Sequence, residues 1–427
     1  MRPPVATLLL FGLTLAVNAA AEDWPQFRGP GGQGHSRETG LPFEWSERDH
    51  VEWKTPIPGR GWSSPSIQGG TVWITTSTED GRSLRLLALD RKSGALRRDV
   101  EVFRLEGPIP VHDKNSRASP TPVVEGDRVY VHFGSYGTAA LRTSDGSIVW
   151  RTRLEYYHRH GPGGSPALYK DLLIISCDGY DTQFVVALDK RTGHVRWKKP
   201  RKGYQAYTTP LLIRFNGRDQ MISPGAWTAF AYDPATGEEL WSVRYGKGYS
   251  NVPRAVFGHG LVYICTGFDQ ADLIAVRPDG SGDVTDTHIA WTARRGIPLT
   301  PSPILVNGEI YFVSDNGVAT SLDAKTGKEL WRQRLGGNFS ASPVFAEGRI
   351  YLLSEECEAT VIAPGQTYRA LATNRLEGRC LASPALSGGA IFLRTDSHLY
   401  RLSTSRSARA QSPPPSSASP SASPSSQ

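Results

Sequence analysis

Sulfur is scarce in this chain of 427 residues, which contains four cysteines and two methionines. The cysteines are isolated from one another, and no Cys-x-x-Cys-His motif for c-type haem attachment occurs. The His-Glu-x-x-His, Gly-x-x-x-x-Gly-Lys and Gly-x-Ser-x-Gly motifs are absent as well. The sequence therefore has no local signature of the enzyme classes that these motifs mark.

Long apolar runs are equally rare, and the most prominent one is Val5–Val17. It follows a basic start and precedes the small residues Ala19–Ala21, a pattern that predicts a signal peptide over residues 1–21. The run is shorter than the roughly 20 apolar residues of a transmembrane helix, so the protein is not expected to be transmembrane. Because the first cysteine is Cys177, no lipidation cysteine follows the leader. We expect a periplasmic or secreted protein.

Charge of one sign is also limited, since the formal net charge of +7 falls to +4 when Arg2 of the leader and Arg406 and Arg409 of the tail are left out. A balance this small does not indicate a nucleic-acid partner. Hydrophobic residues make up 39% of the chain beside 44 glycines and 31 prolines, a composition that excludes a helical bundle and is typical of short strands joined by turns. Residues 404–427 are rich in Ser, Pro and Ala, which predicts a disordered tail.

One phrase, Asp-x-x-Thr-Gly-x-x-x-Trp, recurs along the chain. In such a hairpin the Asp accepts backbone amides, the Gly takes the left-handed position that ends the turn, and the Trp begins the next strand. The three complete copies carry these residues: Asp189, Gly193, Trp197; Asp233, Gly237, Trp241; Asp323, Gly327, Trp331.

A second phrase places a small residue and Pro about eight positions before a bulky strand residue. Counting one copy with a longer loop and one in which Ala255 replaces the Pro, it occurs eight times at spacings of about 40 to 57 residues. This spacing is typical of propeller blades with four strands each. The sequence predicts an all-β, eight-bladed β-propeller over residues 51–403, preceded by an N-terminal extension over residues 22–50.

The two ends of this propeller are predicted to meet in one blade. The eighth unit contains strands at Ile391–Leu393 and His398–Leu402 but no outer strand, whereas Val51–Lys54 is an outer strand without the three that should precede it. Pairing the N-terminal strand with the last blade would remove the open sheet edges that favour aggregation. We expect a closed ring and a monomer.

The repeat resembles that of pyrroloquinoline quinone (PQQ) dehydrogenases and of the BamB family of outer-membrane assembly factors. The segments Asp23–Pro30 and Gly61–Pro65 look like those of secreted bacterial PQQ-binding-like β-propeller repeat proteins. The resemblance implies the fold and is nearly silent on function, because proteins with this repeat include enzymes and scaffolds. The chain lacks the adjacent Cys-Cys pair and the roof insertions of the dehydrogenases, and it lacks the lipidated cysteine of BamB.

The loops that lead into the first strands and the hairpins between second and third strands share one end of the propeller, which we call the loop face. Large aromatic rings and cations in these loops suit recognition of a protein or small ligand. The predicted binding residues are Trp62, Tyr136, Trp227, Tyr249, Phe339, Arg60, Lys114 and Arg294.

We therefore expect a non-catalytic binding or scaffold protein without a cofactor. The alternative is a PQQ-dependent oxidoreductase acting on an alcohol or a sugar, with calcium beside the quinone and Arg60, Lys114 and Arg294 as partners of its carboxylates. The resemblance alone does not decide between them.

Two smaller predictions concern metals and cysteines. His158 and His160 lack a third metal ligand, and turn formation accounts more simply than calcium for the loop aspartates near Asp178 and Asp269. No metal site is predicted. Cys357 and Cys380 fall on the same face of neighbouring blades, where an oxidising compartment would allow a disulfide.

Overall fold

Residues 22–107 and 110–404 are described in this computed structural model. The predicted signal peptide and nearly all of the predicted tail lie outside the described residues. Strand β1 spans Val51–Pro56. The strands of blades 1 to 4 are β2 (Ser66–Gln68), β3 (Thr71–Ser77), β4 (Ser83–Asp90), β5 (Leu96–Arg104), β6 (Val123–Glu125), β7 (Arg128–His132), β8 (Thr138–Arg142), β9 (Ile148–Thr152), β10 (Ala167–Tyr169), β11 (Leu172–Asp178), β12 (Gln183–Asp189), β13 (Val195–Pro200), β14 (Leu211–Phe215), β15 (Arg218–Pro224), β16 (Thr228–Tyr232) and β17 (Glu239–Arg244).

The strands of blades 5 to 8 are interrupted by one short helix, α1 (Thr285–His288). They are β18 (Val256–Gly258), β19 (Leu261–Cys265), β20 (Leu273–Val276), β22 (Ile289–Ala293), β23 (Ile304–Val306), β24 (Glu309–Val313), β25 (Val318–Asp323), β26 (Glu329–Arg334), β27 (Val344–Ala346), β28 (Arg349–Leu353), β29 (Glu358–Ile362), β30 (Ala370–Arg375), β31 (Ala385–Ser387), β32 (Ala390–Arg394) and β33 (His398–Ser403). The short strand β21 (Gly282–Asp283) precedes β22 in the chain but joins the sheet of blade 4.

These strands form eight sheets, and the predicted eight-bladed propeller is confirmed. Blades 1, 2, 3, 6 and 7 are each built from four consecutive strands. Blade 4 adds β21 to β14–β17, blade 5 has the order β18-β19-β20-β22, and the eighth blade has the order β1-β33-β32-β31. Trp53 lies opposite Arg401, and Pro56 lies opposite His398, in an antiparallel pair. The N-terminal strand therefore closes the ring, as the missing outer strand of the last unit predicts.

The core lies between neighbouring blades rather than inside any one of them. One apolar cluster, for example, joins Leu86 of blade 1 to Val129 of blade 2. Central strands such as β19 are buried on both faces, which explains why their sequences are apolar without alternation. The outer strand β13 is exposed along most of its length.

The turns of the repeat form as predicted, but their tryptophans act between blades. Trp197 of blade 3 packs against Gly237 of blade 4 and donates from Nε1 to the carbonyl oxygen of Pro234 at 3.2 Å. The same contact joins Trp53 to Gly94, the last blade to the first. Each such glycine both ends its own turn and leaves space for the preceding blade's indole.

Trp241 is the exception among the three complete copies. Its indole is fully buried, and Nε1 donates to Gln220 Oε1 within its own blade at 2.8 Å. Strand β21 pairs in parallel with β17, so the insertion that contains it covers this outer strand.

A ring of hydrogen bonds links the inner strands. The backbone N–H of the small residue that begins one blade donates to the hydroxyl of the next, as from Thr121 to Ser165 Oγ at 2.9 Å and from Ser383 to Ser64 Oγ at 3.1 Å. In blade 5 this position is occupied by Arg254, whose guanidinium donates to Pro210 O at 2.7 Å. The ring of hydroxyls is therefore interrupted at one blade.

The N-terminal extension crosses the propeller beneath this ring. Trp24 exchanges backbone hydrogen bonds with Ile67 of blade 1, and the Arg28 guanidinium donates to Pro303 O of blade 6 at 2.7 Å. Gly34 accepts from the backbone N–H of Phe345 in blade 7. The extension is therefore anchored to blades 1, 6 and 7.

Cys357 and Cys380 form a disulfide between the hairpin of blade 7 and the loop that leads into blade 8, the pairing considered from the sequence. Cys177 and Cys265 are free and buried. The bridge closes a span of 23 residues, which corresponds to about 3 kcal/mol in the chain-entropy account of disulfides.

We expect the double substitution Cys357→Ser/Cys380→Ser to lower the free energy of unfolding by about 3 kcal/mol. Thiol counting on the denatured, unreduced protein should find two reactive groups, and reduction should raise the number to four. The matched control Cys177→Ser should leave that two-group difference intact. Four reactive groups before reduction would contradict the bridge.

Candidate functional site

A cavity of about 720 Å³ opens at the loop face along the propeller axis. Its wall contains Trp62, Lys114 and Tyr249 from the predicted binding set, and Phe27 of the N-terminal extension also lines it. Lys114 Nζ lies 2.9 Å from Glu355 Oε1, so this cation is already paired. The cavity is thus lined by both aromatic and polar groups.

The other predicted residues lie elsewhere. Arg60 is exposed and pairs with Glu79 at 2.7 Å, and Arg294 pairs with Asp272 at 3.5 Å. Neither arginine lines the cavity. Trp227 is on the rim of the loop face, with 42% of its surface exposed.

Tyr136 and Phe339 are corrections to the predicted binding surface, because both rings are buried. The turn that ends at Gly137 directs Tyr136 inward, edge-on to His158 with ring centroids 4.6 Å apart. The backbone N–H of Phe339 donates to Asp315 O, and its ring packs in the core between blades 6 and 7. Neither side chain can contact a ligand at the surface.

Six aromatic residues form a continuous patch across blades 3 to 5, which we call the aromatic arc. Successive members come alternately from a leading loop and from a hairpin, so topology brings them together. Ring-centroid distances between neighbours run from 5.3 to 6.5 Å. The arc consists of Tyr157, Tyr180, Tyr204, Trp227, Tyr249 and Phe268.

Backbone contacts hold the arc in place. Trp227 has a φ of 66°, in the left-handed region that a bulky residue rarely adopts, and its N–H donates to Gly248 O at 2.9 Å. Tyr249 and Phe268 are joined by backbone hydrogen bonds, and the N–H of Tyr157 donates to Asp181 Oδ1 at 2.7 Å. The fold therefore keeps the large ring of Trp227 exposed, although the backbone of this residue has an unfavourable conformation.

Charged residues lie close to the arc in space or in the chain. The Arg159 guanidinium lies over the Tyr180 ring at 5.1 Å from its centroid, and Lys202 is exposed nearby in the chain. Asp178, two residues before Tyr180, forms a buried ion pair with Arg201, whose Nε lies 2.8 Å from Oδ1. Asp178 is thus a partner of an arginine, which corrects its interpretation as a turn residue.

The two histidines considered for a metal do not point the same way. His158 is buried and accepts a hydrogen bond at Nδ1 from the N–H of Ser135 at 3.0 Å, whereas His160 lines the cavity. Across residues 22–107 and 110–404, no group of three or more His, Cys, Asp or Glu side chains could hold a metal ion.

Burial lowers the pKa of His132 to about 3 and that of His158 to about 4. Both imidazoles are neutral in the fold, while in the unfolded chain they bind protons below about pH 6.5. The stability they contribute is present above that pH and is lost as pH falls towards their folded pKa values. Within this window, each fall of one pH unit should lower the free energy of unfolding by about 1.4 kcal/mol per histidine.

We expect His132→Gln/His158→Gln to flatten the decline in unfolding free energy between pH 6.5 and 4.5, as measured by denaturant titration. The exposed His194→Gln is the matched control and should keep the wild-type slope. Parallel curves for all three proteins would show that the two buried imidazoles do not cause the decline.

Within the described ranges, no helix has the length and apolar character needed to cross a membrane.

Comparisons with known proteins agree with this architecture. The family described as outer membrane protein assembly factor BamB matches residues 38–209 and 227–371. A quinoprotein ethanol dehydrogenase of Pseudomonas aeruginosa is 24% identical over 291 residues, covering 64% of this chain and 41% of that protein. The outer membrane protein assembly factor BamB of Burkholderia pseudomallei is 28% identical over 228 residues, covering 51% of this chain and 56% of that protein. The chain thus spans about half the length of these curated relatives.

Among solved structures, BamB from Moraxella catarrhalis superposes with a TM-score of 0.59 at 12% sequence identity. The match covers 83% of this chain and 97% of that one. At this identity the likeness shows the fold alone.

Proposed function

The chain belongs to the family described as outer membrane protein assembly factor BamB, and from this premise we propose that it is a non-catalytic binding protein of the bacterial periplasm. Its aromatic arc docks a protein of the outer-membrane protein assembly apparatus. The observation that carries this proposal is the arc itself, a set of neighbouring aromatic rings held exposed on one side of the loop face.

The exposure of these rings supports a binding role. Tyr157, Tyr180, Trp227 and Phe268 are each between 42% and 51% exposed. Large apolar side chains that cluster at the surface commonly mark interaction sites, and aromatic residues dominate the binding energy of many interfaces. Loops on a rigid propeller can form such a surface without disturbing the blades.

The PQQ alternative receives less support from the residues present. An anionic quinone with calcium would need free cations and several carboxylate or amide ligands in one place. Of the three cations considered for this role, only Lys114 lines the cavity, and it is paired with Glu355. Cys177 and Cys265 are buried in different clusters, so they cannot replace the missing Cys-Cys pair. The donor set does not fit the group.

Site-specific photo-crosslinking tests the docking proposal. A photoreactive residue at position 180, in the arc, should crosslink a component of the assembly apparatus in intact periplasm, identified by mass spectrometry. The matched control is position 195, which is 54% exposed on an outer strand and should give no such product. Equal products from both positions, or none from position 180, would overturn the proposal.

Trp227→Gly separates binding from stability. Glycine adopts a φ of 66° without strain, which offsets its greater loss of backbone entropy. We therefore expect an unchanged or slightly higher melting temperature together with at least a tenfold loss of the position-180 crosslink. A lower melting temperature with full crosslinking would assign Trp227 a structural role instead.

Reconstitution with PQQ and calcium tests the alternative directly. We expect no dye-linked oxidation of alcohols or sugars by the purified protein. Oxidation that requires both additions would replace the docking proposal with an enzymatic one.

A further inference from the structure

We propose that the axial cavity binds a saccharide, a neutral ring with several hydroxyl groups, alone or at the end of a glycan. This site goes beyond the proposed function, because it uses the polar wall of the cavity rather than the exposed outer rings of the aromatic arc. Its evidence is the match between the hydrogen-bonding groups left open in the wall and the groups a sugar ring presents.

The wall supplies hydrogen-bond donors. In the ring that links the blades, each hydroxyl oxygen accepts a backbone N–H from the preceding blade, at 2.9 Å for both Ser165 and Thr209. This leaves the hydroxyl proton of each residue without a protein acceptor among the described residues. Thr121 and Ser383 have the same arrangement. All four side chains line the cavity, so their protons are available to a ligand.

The wall also carries a buried amide with an open position. Gln205 is 3% exposed and lines the cavity, and its Nε2 donates to Ser250 Oγ at 3.0 Å. Its Oε1 has no hydrogen-bond partner among the described residues, and neither does the buried hydroxyl of Tyr207, a residue that also lines the cavity. Leaving a buried polar group unpaired costs about 1–3 kcal/mol, so these atoms favour a ligand that donates.

A ligand that both accepts from hydroxyl protons and donates to an amide oxygen carries hydroxyl groups of its own. The aromatic rings of Tyr204 and Tyr249 also line the cavity, where they can pack against the C–H face of a sugar ring. The volume of about 720 Å³ falls within the range of roughly 300–1,000 Å³ typical of small-molecule sites.

The charges around the cavity favour a neutral ligand over an anion. Lys114 is paired with Glu355, and the other lining cation, Arg159, is matched in number by the carboxylate of Asp315, which also lines the cavity. Arg254 donates to backbone carbonyl groups of Phe27 and Pro210. An apolar ligand would leave Gln205 Oε1 unpaired.

The test is calorimetric titration of the full chain with a panel of neutral hexoses, N-acetylhexosamines and their disaccharides, with gluconate as the anionic probe. We expect at least one neutral sugar to bind and gluconate to bind at least tenfold more weakly. Gln205→Met should weaken that binding at least tenfold, whereas the matched control Gln183→Met, outside the cavity, should not change it. No binding by any neutral probe, or tighter binding of gluconate, would overturn the proposal.

Tyr207→Phe keeps the test valid if Gln205→Met fails to fold. It removes only a hydroxyl that has no hydrogen-bond partner in residues 22–107 and 110–404, so it should not lower stability, yet it should weaken sugar binding. Undiminished sugar binding in Tyr207→Phe and Gln205→Met together would contradict the site.

Two variants distinguish the sugar site from the docking surface. Trp227→Gly should retain sugar binding, and Gln205→Met should retain the position-180 crosslink, so either proposal can fail without the other.

Discussion

Deleting Val51–Lys54 should abolish cooperative unfolding of the propeller. The deletion removes most of β1, exposes the edge of β33 and takes away Trp53, the indole that joins the last blade to the first. Because each blade buries its faces against two neighbours, a gap at one junction leaves two apolar surfaces open. Thermal unfolding followed by circular dichroism should become broad, and size-exclusion chromatography should detect self-association through the free edge.

Removal of residues 405–427 is the control for this deletion, since it shortens the chain without touching any described strand. That variant should unfold in one sharp transition at the wild-type temperature. A single sharp transition in the β1 deletion as well would mean that ring closure contributes little to stability.

The second large effect is expected at Gly237. A Cβ placed there would lie 2.6 Å from Trp197 Cε3, and the residue has a φ of 71°, which disfavours any side chain. We expect Gly237→Ala to lower the free energy of unfolding by about 3 kcal/mol, combining a backbone penalty of about 1–2 kcal/mol with displacement of the indole. Trp197→Ala should cost about 3 kcal/mol through lost packing.

A double-mutant cycle tests whether these two residues act together. In the Trp197→Ala background, Gly237→Ala should cost only the backbone penalty, because the clash is gone. Gly217→Ala is the matched control, since Gly217 has a φ of 78° but no atom near its would-be Cβ. Additive effects in the cycle, or equal costs at Gly217 and Gly237, would contradict the packing between blades.

The architecture could be predicted from the sequence because its signals are local and repeated. The small-residue-Pro phrase defines each inner strand, and the absence of an outer strand in the last unit predicts where Val51–Lys54 must pair. The partner of each tryptophan could not be predicted in this way. Trp197 and Gly193 belong to the same phrase, yet Trp197 packs on Gly237 of the following blade.

The candidate site was predicted less well for a related reason. Whether a loop aromatic is exposed depends on contacts that are distant in sequence, such as that between Tyr136 and His158. Loop position alone therefore could not separate Tyr136 from Trp227. The arc becomes recognisable when leading loops and hairpins of consecutive blades are considered together. Gln205 could be recognised only from the structure, in which its Oε1 has no hydrogen-bond partner among the described residues.

The N-terminal extension has a consequence for how this architecture can change over time. A single stretch of chain reaches from Trp24 at blade 1 to Gly34 at blade 7 and is held midway by Arg254 of blade 5. Its covalent length limits how far apart these anchor points can lie. Duplication or loss of one repeat would widen or narrow the ring, and these anchor points would no longer coincide. We therefore expect the extension to constrain the number of blades to eight, because a gain or loss of one blade would break its contacts.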